Sequence, residues 1–278
     1  MAVRTVRTPV YDSSRRSDPL TVLRNGLAHR DLVVLLARRD LANRYGGAVL
    51  GPWWSLATPL AYAVVLWSIF SGLHSLRTEN VPFVVYVLSG VALLTFVTQT
   101  IFTVTSSIIV NTVSLRRVFV PVGTFAAAAA ISTSVTLGFT TGALLVIQAI
   151  AGASVPWTVV LLPPFCVLLT AGVAGFGLAV GALATVFADA VEATRALLTV
   201  VGFATPVFYP ASIVPERFRF VLELNPLYHF LAVFRYLDYG GTVPSAATFT
   251  VCLATPFVCM FLGAGSFTLV RRMLPTVL

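Results

Sequence analysis

Side chains that could perform acid-base, nucleophilic or metal chemistry are sparse in this chain and form no familiar pattern. No H-E-x-x-H or G-x-S-x-G sequence is present, and no two cysteines have the C-x-x-C spacing of a metal site. The histidines are far apart in sequence, so each is expected at a surface or a membrane interface. We therefore predict no catalytic residue, no metal site and no cofactor in this chain. The residues considered are His29, His74, His229, Cys166, Cys252 and Cys259.

ATP binding through a P-loop is excluded, because the chain contains no lysine. A Gly-rich loop ending in Gly-Lys-Ser/Thr, which holds the phosphates of ATP, therefore cannot be present. If ATP drives this protein, a separate partner must bind ATP and Mg2+. One candidate contact for a partner is the segment 187–195, where Asp189 and Glu192 share a helical face beside Arg195. A local ion pair or a partner contact is favoured there over catalysis.

Membrane helices are the elements that must position these residues. The chain is 58% hydrophobic and only 10% charged, whereas roughly a quarter of the residues of a soluble domain are charged. About 20 apolar residues cross the hydrocarbon layer as a helix, in which every backbone group is satisfied. We therefore predict an all-α polytopic membrane protein with about six transmembrane helices. The predicted spans are 52–73, 83–104, 122–150, 157–187, 196–210 and 246–269.

Arginines set the predicted orientation, because cytoplasmic loops retain basic residues. Nine of the 18 basic residues precede the first span, and Arg116 and Arg117 follow the second span. Both termini are therefore expected in the cytoplasm, and topology is the simplest role of Arg116 and Arg117. The net charge of +8 is explained in the same way and does not indicate nucleic-acid binding. The four arginines expected outside are Arg77, Arg217, Arg219 and Arg235.

Composition divides the chain into three parts. Residues 1–18 are polar and are predicted to form a mobile cytoplasmic tail. Residues 19–47 are predicted to be a helix that lies on the cytoplasmic membrane surface near anionic lipids, although a buried helix fits almost as well. This helix contains the expected i,i+4 ion pair of Asp40 and Arg44. Residues 48–278 form the predicted transmembrane domain.

The segment 217–238 mixes arginines with many apolar residues and contains an Asn-Pro pair at 225–226. Because proline favours the first position of a helix, the sequence predicts two short helices here, at the outer membrane interface. Arg217, Arg219 and Arg235 are expected to extend towards water from this depth.

Several motifs, taken in order and spacing, resemble the permeases of ABC-2 type polysaccharide exporters. The sequence RYGGAVLGPWWSLATP at 44–59 is similar to the family's R-Y-x-G-S-x-L-G-x-x-W-x-x-x-x-P motif before span one. The sequence LRRVFVP at 115–121 is similar to its L-x-K-K-x-x-F-P segment. The other similar pieces are TPVFYP at 205–210, VPE at 214–216, NPL at 225–227 and FR at 234–235.

The resemblance implies a homodimer of this permease in the cytoplasmic membrane, together with two copies of a separate ABC ATPase that binds ATP and Mg2+. It also implies that residues 48–278 are an ABC-2 transmembrane domain that exports a polyprenyl-diphosphate-linked polysaccharide. The use of arginine without lysine indicates a GC-rich genome. Together with the resemblance, this composition favours an actinobacterial exporter of cell-wall galactan.

The resemblance also implies roles for particular residues. It makes the segment 111–121 a coupling helix that the ATPase pushes. The residues implied in coupling are Asn111, Leu115, Arg116, Arg117, Phe119, Pro121, Asp189 and Glu192. The candidate substrate path consists of Arg44, Tyr45, Trp53, Trp54, Tyr62, Trp67, Phe208 and Tyr209. Its aromatic rings would stack on sugars and its arginine would attract the diphosphate, although a membrane-interface belt is favoured for Trp53 and Trp54.

Two other functions stay open. An ABC-2 exporter of a drug or a lipid would have the same fold and would differ only in its substrate. A membrane enzyme of lipid-linked glycan assembly is the third possibility, and the shortage of membrane-facing acidic residues counts against it.

Overall fold

The computed structural model describes residues 29–70, 81–115 and 122–273. The predicted tail and the first part of the predicted 19–47 helix lie outside these ranges. The described residues form α-helices and short 3-10 helices and contain no strand. The α-helices are α1 (Arg30–Tyr45), α2 (Trp54–Phe70), α3 (Phe83–Leu115), α4 (Val122–Ile150), α5 (Leu162–Ala184), α6 (Ala190–Ala204), α7 (Arg219–Leu224), α8 (Pro226–Tyr239) and α9 (Ala246–Met273). The 3-10 helices are Gly51–Trp53, Trp157–Leu161, Ala211–Ile213 and Glu216–Phe218.

Four helices among the described residues are long and apolar enough to cross a membrane: α3, α4, α5 with its preceding 3-10 helix, and α9. The helices α2 and α6 have 17 and 15 residues, somewhat fewer than the roughly 20 that a span requires. The prediction of an all-α polytopic membrane protein is confirmed. The number of six spans stays a prediction.

The helix α3 is the centre of the fold. It has 33 residues and packs against both α4 and α5. Glycine allows α5 to approach it closely, because a Cβ atom on Gly177 would lie 3.0 Å from the carbonyl oxygen of Ile101. On its other side α5 packs still more closely against α9, where a Cβ atom on Gly175 would lie 2.5 Å from the backbone nitrogen of Met260.

The two ends of the bundle hold different short helices. At one end α1 lies on the first part of α4, where Val33, Leu36 and Ala37 are buried against Ala128. The spacing of these three residues places them on one face of the helix. We call this the α1 end. At the opposite end, called the α8 end, α8 packs beside the start of α3, and its Asp238 bonds to Gln148 near the end of α4.

The chain between α6 and α8 is irregular because it is rich in proline. Pro206 has no backbone N–H and disfavours helix in the residue before it, so α6 ends there. The residues 205–210 are called the 205–210 segment. Farther along, α8 begins at Pro226, and the side chain of Asn225 accepts a hydrogen bond of 3.0 Å from a backbone N–H of its first turn. The predicted pair of helices is therefore confirmed as α7 and α8. Their position at the outer membrane interface stays a prediction.

Candidate functional site

A cavity of about 640 Å³ lies between α1, α3 and α4 at the α1 end. We call it the α1 cavity. Its wall carries many polar groups and contains two arginines against one aspartate, which gives it a positive charge balance. The polar lining residues are Arg39, Asp40, Asn43, Arg44, Gln99, Thr103, Ser106 and Ser107.

Arg44 has an unused hydrogen-bond donor in the α1 cavity. Its Nη2 donates to Thr103 Oγ1 at 3.0 Å, whereas Nη1 is buried and has no partner among the described residues. The predicted ion pair with Asp40 is wrong, because the guanidinium turns to α3 and Asp40 instead lies 3.8 Å from Arg39. A guanidinium with an unused buried donor, close to a second arginine, is suited to binding an anionic oxygen.

A second cavity, of about 630 Å³, lies between α2, α3, α6 and the 205–210 segment. We call it the aromatic groove. Tyr62 of α2 and Phe208 of the 205–210 segment form a ring pair in its wall, with their centroids 6.1 Å apart. Thr95 and Thr98 contribute to the wall as well. Aromatic rings offer flat apolar surfaces and hydroxyl groups offer hydrogen-bond partners, so this lining suits the faces and hydroxyls of sugar rings.

The two cavities adjoin each other along α3. Gln99 and Phe102 line both of them. The ring of Phe102 also lies 4.8 Å from the guanidinium of Arg195, which reaches the groove from α6. Gln99 and Phe102 are therefore the part of the wall that the two cavities share.

The structure divides the predicted path residues into two groups. Those that line the two cavities are Arg44, Tyr62 and Phe208. Tyr45 instead shares a hydrogen bond of 3.2 Å with Thr136 of α4. Tyr209 donates its hydroxyl to a carbonyl of α6 at 3.2 Å. Trp53 and Trp54 are more than half exposed at the start of α2, which agrees with a membrane-interface belt.

Much of the predicted coupling site lies outside the described residues. The helix α3 continues to Leu115, so the first part of the segment 111–121 is helical. The coupling roles stay predictions. The residues outside the description are Arg116, Arg117, Phe119 and Pro121, together with the side chains of Asn111, Leu115 and the path residue Trp67.

The two predicted acidic coupling residues are exposed where α6 begins. Asp189 occupies the N-cap position of α6, and Glu192 lies in its first turn. Carboxylates near a helix N-terminus are favoured by the helix dipole. Glu192 also lies 3.2 Å from Arg195, so the predicted local ion pair is confirmed.

The helix α8 contains three buried polar residues, and sequence reasoning placed two of them, Arg235 and His229, at a surface or in water. Arg235, His229 and Asp238 are only 5%, 6% and 0% exposed. The predictions that Arg235 extends to water and that His229 lies at a surface are wrong, because α8 packs into the bundle. One available signal was a helix that is apolar all round, which indicates burial. The apolar residues of α8 that are buried on its several sides are Phe230, Leu231, Val233, Phe234 and Leu237.

Asp238 pairs with an amide inside this region. Gln148 Nε2 donates to Asp238 Oδ2 at 2.7 Å, while Asp238 Oδ1 and Gln148 Oε1 are buried and have no partner among the described residues. Burial raises the pKa of Asp238 to about 7, against the opposing effect of the Gln148 hydrogen bond. Protonation gives the Asp238 carboxyl group an O–H donor. Such a donor is what is missing here, because Asp238 Oδ1 and Gln148 Oε1 are both acceptors without a partner among the described residues.

Comparison with known proteins assigns the chain to a family. The sequence profile described as ABC-2 type transporter matches residues 31–239. The chain belongs to the ABC-2 type transporter family. As an ABC-2 permease it is a membrane transport subunit, and the predicted family resemblance is confirmed. The matched region contains both cavities and ends with α8.

The ABC-2 permease is similar to proteins named O-antigen export system permease protein RfbA. It is 23% identical to the protein of Myxococcus xanthus over 250 residues, and this aligned region covers 89% of this chain and 95% of that relative. It is also 23% identical over 217 residues to a protein of Klebsiella pneumoniae, which covers 77% of this chain and 82% of the relative. The similarity therefore extends over most of each protein.

Proposed function

We propose that this ABC-2 permease exports a polysaccharide linked to polyprenyl diphosphate, such as cell-wall galactan, across the cytoplasmic membrane. The observation that carries the proposal is a cavity suited to an anion that adjoins a groove suited to sugars. A lipid-linked glycan has the same order of groups, because its diphosphate is bonded directly to its first sugar. The relatives named as O-antigen export permeases support polysaccharide as the class of cargo.

The diphosphate would bind in the α1 cavity. Arg44 Nη1 is a buried donor without a partner among the described residues, and Ser106 and Ser107 add hydroxyl groups to the same wall. Charge-assisted hydrogen bonds from a guanidinium to phosphate oxygens are short and strong, on the order of 1.5–3 kcal/mol each. Lipid approaching from the membrane would therefore be held by its headgroup.

The glycan would extend from there into the aromatic groove. Gln99 and Phe102 stand between the two cavities and would contact the first sugar. The ring pair of Tyr62 and Phe208 would then provide a stacking surface that depends little on the identity of the sugar. Such a wall fits a long polymer that must keep moving.

We also propose that two copies of this permease act with two copies of a separate ABC ATPase, and that the ATPase binds ATP and Mg2+. The contacts would be the segment 111–121 and the start of α6 with Asp189 and Glu192, on the cytoplasmic side together with both termini. The course of α3 supports this arrangement. The same helix that ends at Leu115 carries Gln99 and Phe102, so a displacement of its end would reach both cavities.

The diphosphate site can be tested with Arg44→Gln in the full permease–ATPase complex, reconstituted in lipid nanodiscs. The concentration of lipid-linked glycan that half-maximally stimulates ATP hydrolysis should rise about tenfold, because one charge-assisted hydrogen bond is lost. Arg30→Gln is the matched control, since Arg30 also belongs to α1 but its side chain is 89% exposed. The control should behave as the wild type.

Four results would each contradict part of the proposal. If Arg44→Gln leaves unchanged the glycan concentration that half-maximally stimulates ATP hydrolysis, the diphosphate does not bind in the α1 cavity. Equal stimulation by polyprenyl diphosphate without glycan would instead favour a lipid exporter, and stimulation by drugs alone would favour a drug exporter. In cells, depletion of the permease should leave lipid-linked glycan accumulating on the cytoplasmic side, whereas normal surface glycan would argue against export of polysaccharide.

A further inference from the structure

The 205–210 segment presents carbonyl groups that no helix satisfies. Pro206 and Pro210 lack backbone N–H groups, and the chain turns out of α6 before the 3-10 helix that follows. Within a membrane protein, such carbonyls need partners from the protein itself, because lipid supplies no hydrogen-bond donor. For the carbonyls of Pro206, Val207 and Tyr209 the partners are two side chains, Arg235 of α8 and Tyr86 of α3.

Arg235 binds the first half of the segment. Its Nη1 donates to the carbonyl of Pro206 at 2.9 Å, and its Nη2 donates to the carbonyl of Val207 at 3.2 Å. Its Nη2 also donates to the carbonyl of Tyr86 at 3.1 Å, while Nε reaches Ser89 Oγ at 3.4 Å. The single guanidinium thus joins α8, α3 and the 205–210 segment.

The guanidinium of Arg235 is held by neutral groups. No carboxylate lies within ion-pair distance of it among the described residues. Its central carbon stacks 3.6 Å from the centroid of the Tyr86 ring, in a cation–π contact. Removing a charge from water is costly, and here the compensating contacts are carbonyls, a hydroxyl and an aromatic ring. The fork of five donors is what lysine or glutamine cannot reproduce.

Phe208 lies between the two anchored parts of the segment. On one side the Val207 carbonyl is held by Arg235 at 3.2 Å. On the other side the Tyr209 carbonyl accepts a hydrogen bond of 2.9 Å from the Tyr86 hydroxyl. The backbone of Phe208 is therefore fixed on both sides, and its ring is directed into the wall of the aromatic groove beside Tyr62.

Gly90 shows how closely these parts fit. A Cβ atom at this position would lie 2.9 Å from Val207 Cγ1, 3.0 Å from Arg235 Nη2 and 3.2 Å from Val207 Cα. Any larger residue must therefore displace the segment or the guanidinium. Gly90→Ala perturbs the same junction without removing a charge.

We infer that Arg235 is a positioning residue for transport, which holds Phe208 in the wall of the aromatic groove and thereby sets the affinity of the groove for glycan. The inference about transport rests on the proposed function of the groove. The effect on the position of Phe208 does not. A merely structural Arg235 would affect stability alone, whereas a positioning residue changes the surroundings of one ring and the concentration dependence of stimulation.

The test uses Phe208→Trp as a fluorescent reporter in the full-length permease, purified without the ATPase in detergent micelles, after replacement of the native tryptophans Trp53, Trp54, Trp67 and Trp157 by phenylalanine. Adding Arg235→Gln should shift the emission of this single tryptophan and change its quenching by a soluble quencher. Gly90→Ala should shift it in the same way, which keeps the test valid if Arg235→Gln fails to fold. Arg235→Lys should give an intermediate spectrum, since an ammonium group reaches only part of the acceptors. Arg217→Gln is the control, because Arg217 is exposed and lies on the neighbouring 3-10 helix.

The same substitutions, without the reporter, are then tested in the permease–ATPase complex in nanodiscs, where stimulation of ATP hydrolysis by lipid-linked glycan is measured. Arg235→Gln and Gly90→Ala should raise the half-maximal concentration of lipid-linked glycan by about threefold to tenfold, the loss expected for one stacking contact. An unchanged tryptophan spectrum in both variants would overturn the inference. A changed spectrum with an unchanged half-maximal concentration would overturn the groove as the glycan path, and with it the proposed function of the groove. The two failures are therefore distinguishable.

Discussion

Replacement of Asp238 by asparagine should abolish most of the dependence of stability on pH. Asp238 is fully buried, and Gln148 Nε2 donates to its Oδ2 at 2.7 Å. The remaining oxygens of both side chains, Asp238 Oδ1 and Gln148 Oε1, have no partner among the described residues. Asparagine has the same shape, carries no charge and supplies an N–H donor on that side. It therefore imitates the protonated carboxyl group.

The magnitude follows from the proton affinity of the folded protein. Burial raises the pKa of Asp238 from 3.8 to about 7, so the folded chain keeps a proton that the unfolded chain releases. The free energy of unfolding is highest at acid pH and falls as the pH rises from about 4 to about 7. A pKa difference of this size lowers the free energy of unfolding by at most about 4 kcal/mol. Above about pH 7 this contribution stays constant.

Within the part of the chain that the structure describes, no basic side chain lies within ion-pair distance of Asp238. Cys166 of α5 is an ionisable neighbour, and its charged form would repel the carboxylate. Arg235 belongs to the same helix, but its donors are directed to α3 and to the 205–210 segment. Deprotonation therefore leaves an unpaired buried charge, which is the physical cause of the lost stability.

The assay is thermal unfolding of the purified chain in detergent, followed by circular dichroism between about pH 4 and pH 8. The wild type should lose stability across this range, whereas Asp238→Asn should retain the acid-side stability with little slope. Glu216→Gln is the control, because the Glu216 side chain is 89% exposed. Infrared spectra at neutral pH should show a protonated carboxyl band that Asp238→Asn lacks. Equal slopes in wild type and Asp238→Asn, or a wild type that gains stability with rising pH, would refute the reasoning.

Two further predictions concern packing and coupling. Gly175→Ala should lower the unfolding temperature, since a Cβ atom there would lie 2.5 Å from the backbone nitrogen of Met260; overpacking of this kind costs about 1–3 kcal/mol. Gly265→Ala is its control, because nothing lies within 4 Å of the added atom, and equal unfolding temperatures would contradict close α5–α9 packing. The double variant Arg116→Glu with Arg117→Glu should abolish glycan-stimulated ATP hydrolysis in the reconstituted complex and leave membrane insertion intact. Unchanged coupling would remove the proposed role of the 111–121 segment.

The long helices could be predicted from the sequence because each depends on local properties. Absence of charge over a sufficient length indicates a membrane helix, and the starts of α4 at Val122 and α9 at Ala246 agree with the predicted 122 and 246. The predicted span 196–210 runs past the observed end of α6 at Ala204, because Pro206 ends the helix. The end of α8 was not predicted, although Gly240 adopts there a φ of 74° that glycine favours. These features require no knowledge of the rest of the fold.

Side-chain partners in three dimensions could not be predicted in this way. Arg44 has Asp40 four residues before it, yet the guanidinium donates to Thr103, 59 residues away. Arg235 carries a charge that predicts exposure, yet its acceptors are carbonyls of two other parts of the chain. Sequence spacing reports neighbours on one helix, whereas these contacts depend on which helix packs opposite.

The length of α3 constrains how the two cavities can change. A helix of 33 residues is about 50 Å long, and its backbone hydrogen bonds make it stiff along its axis. This one helix contains Tyr86, Gln99 and Phe102. An axial shift of α3 by a few ångströms therefore moves all three residues by the same amount. The α1 cavity, the aromatic groove and the contacts of the 205–210 segment with α3 therefore change together when α3 shifts. An opening of one without a response in the others would require α3 to bend.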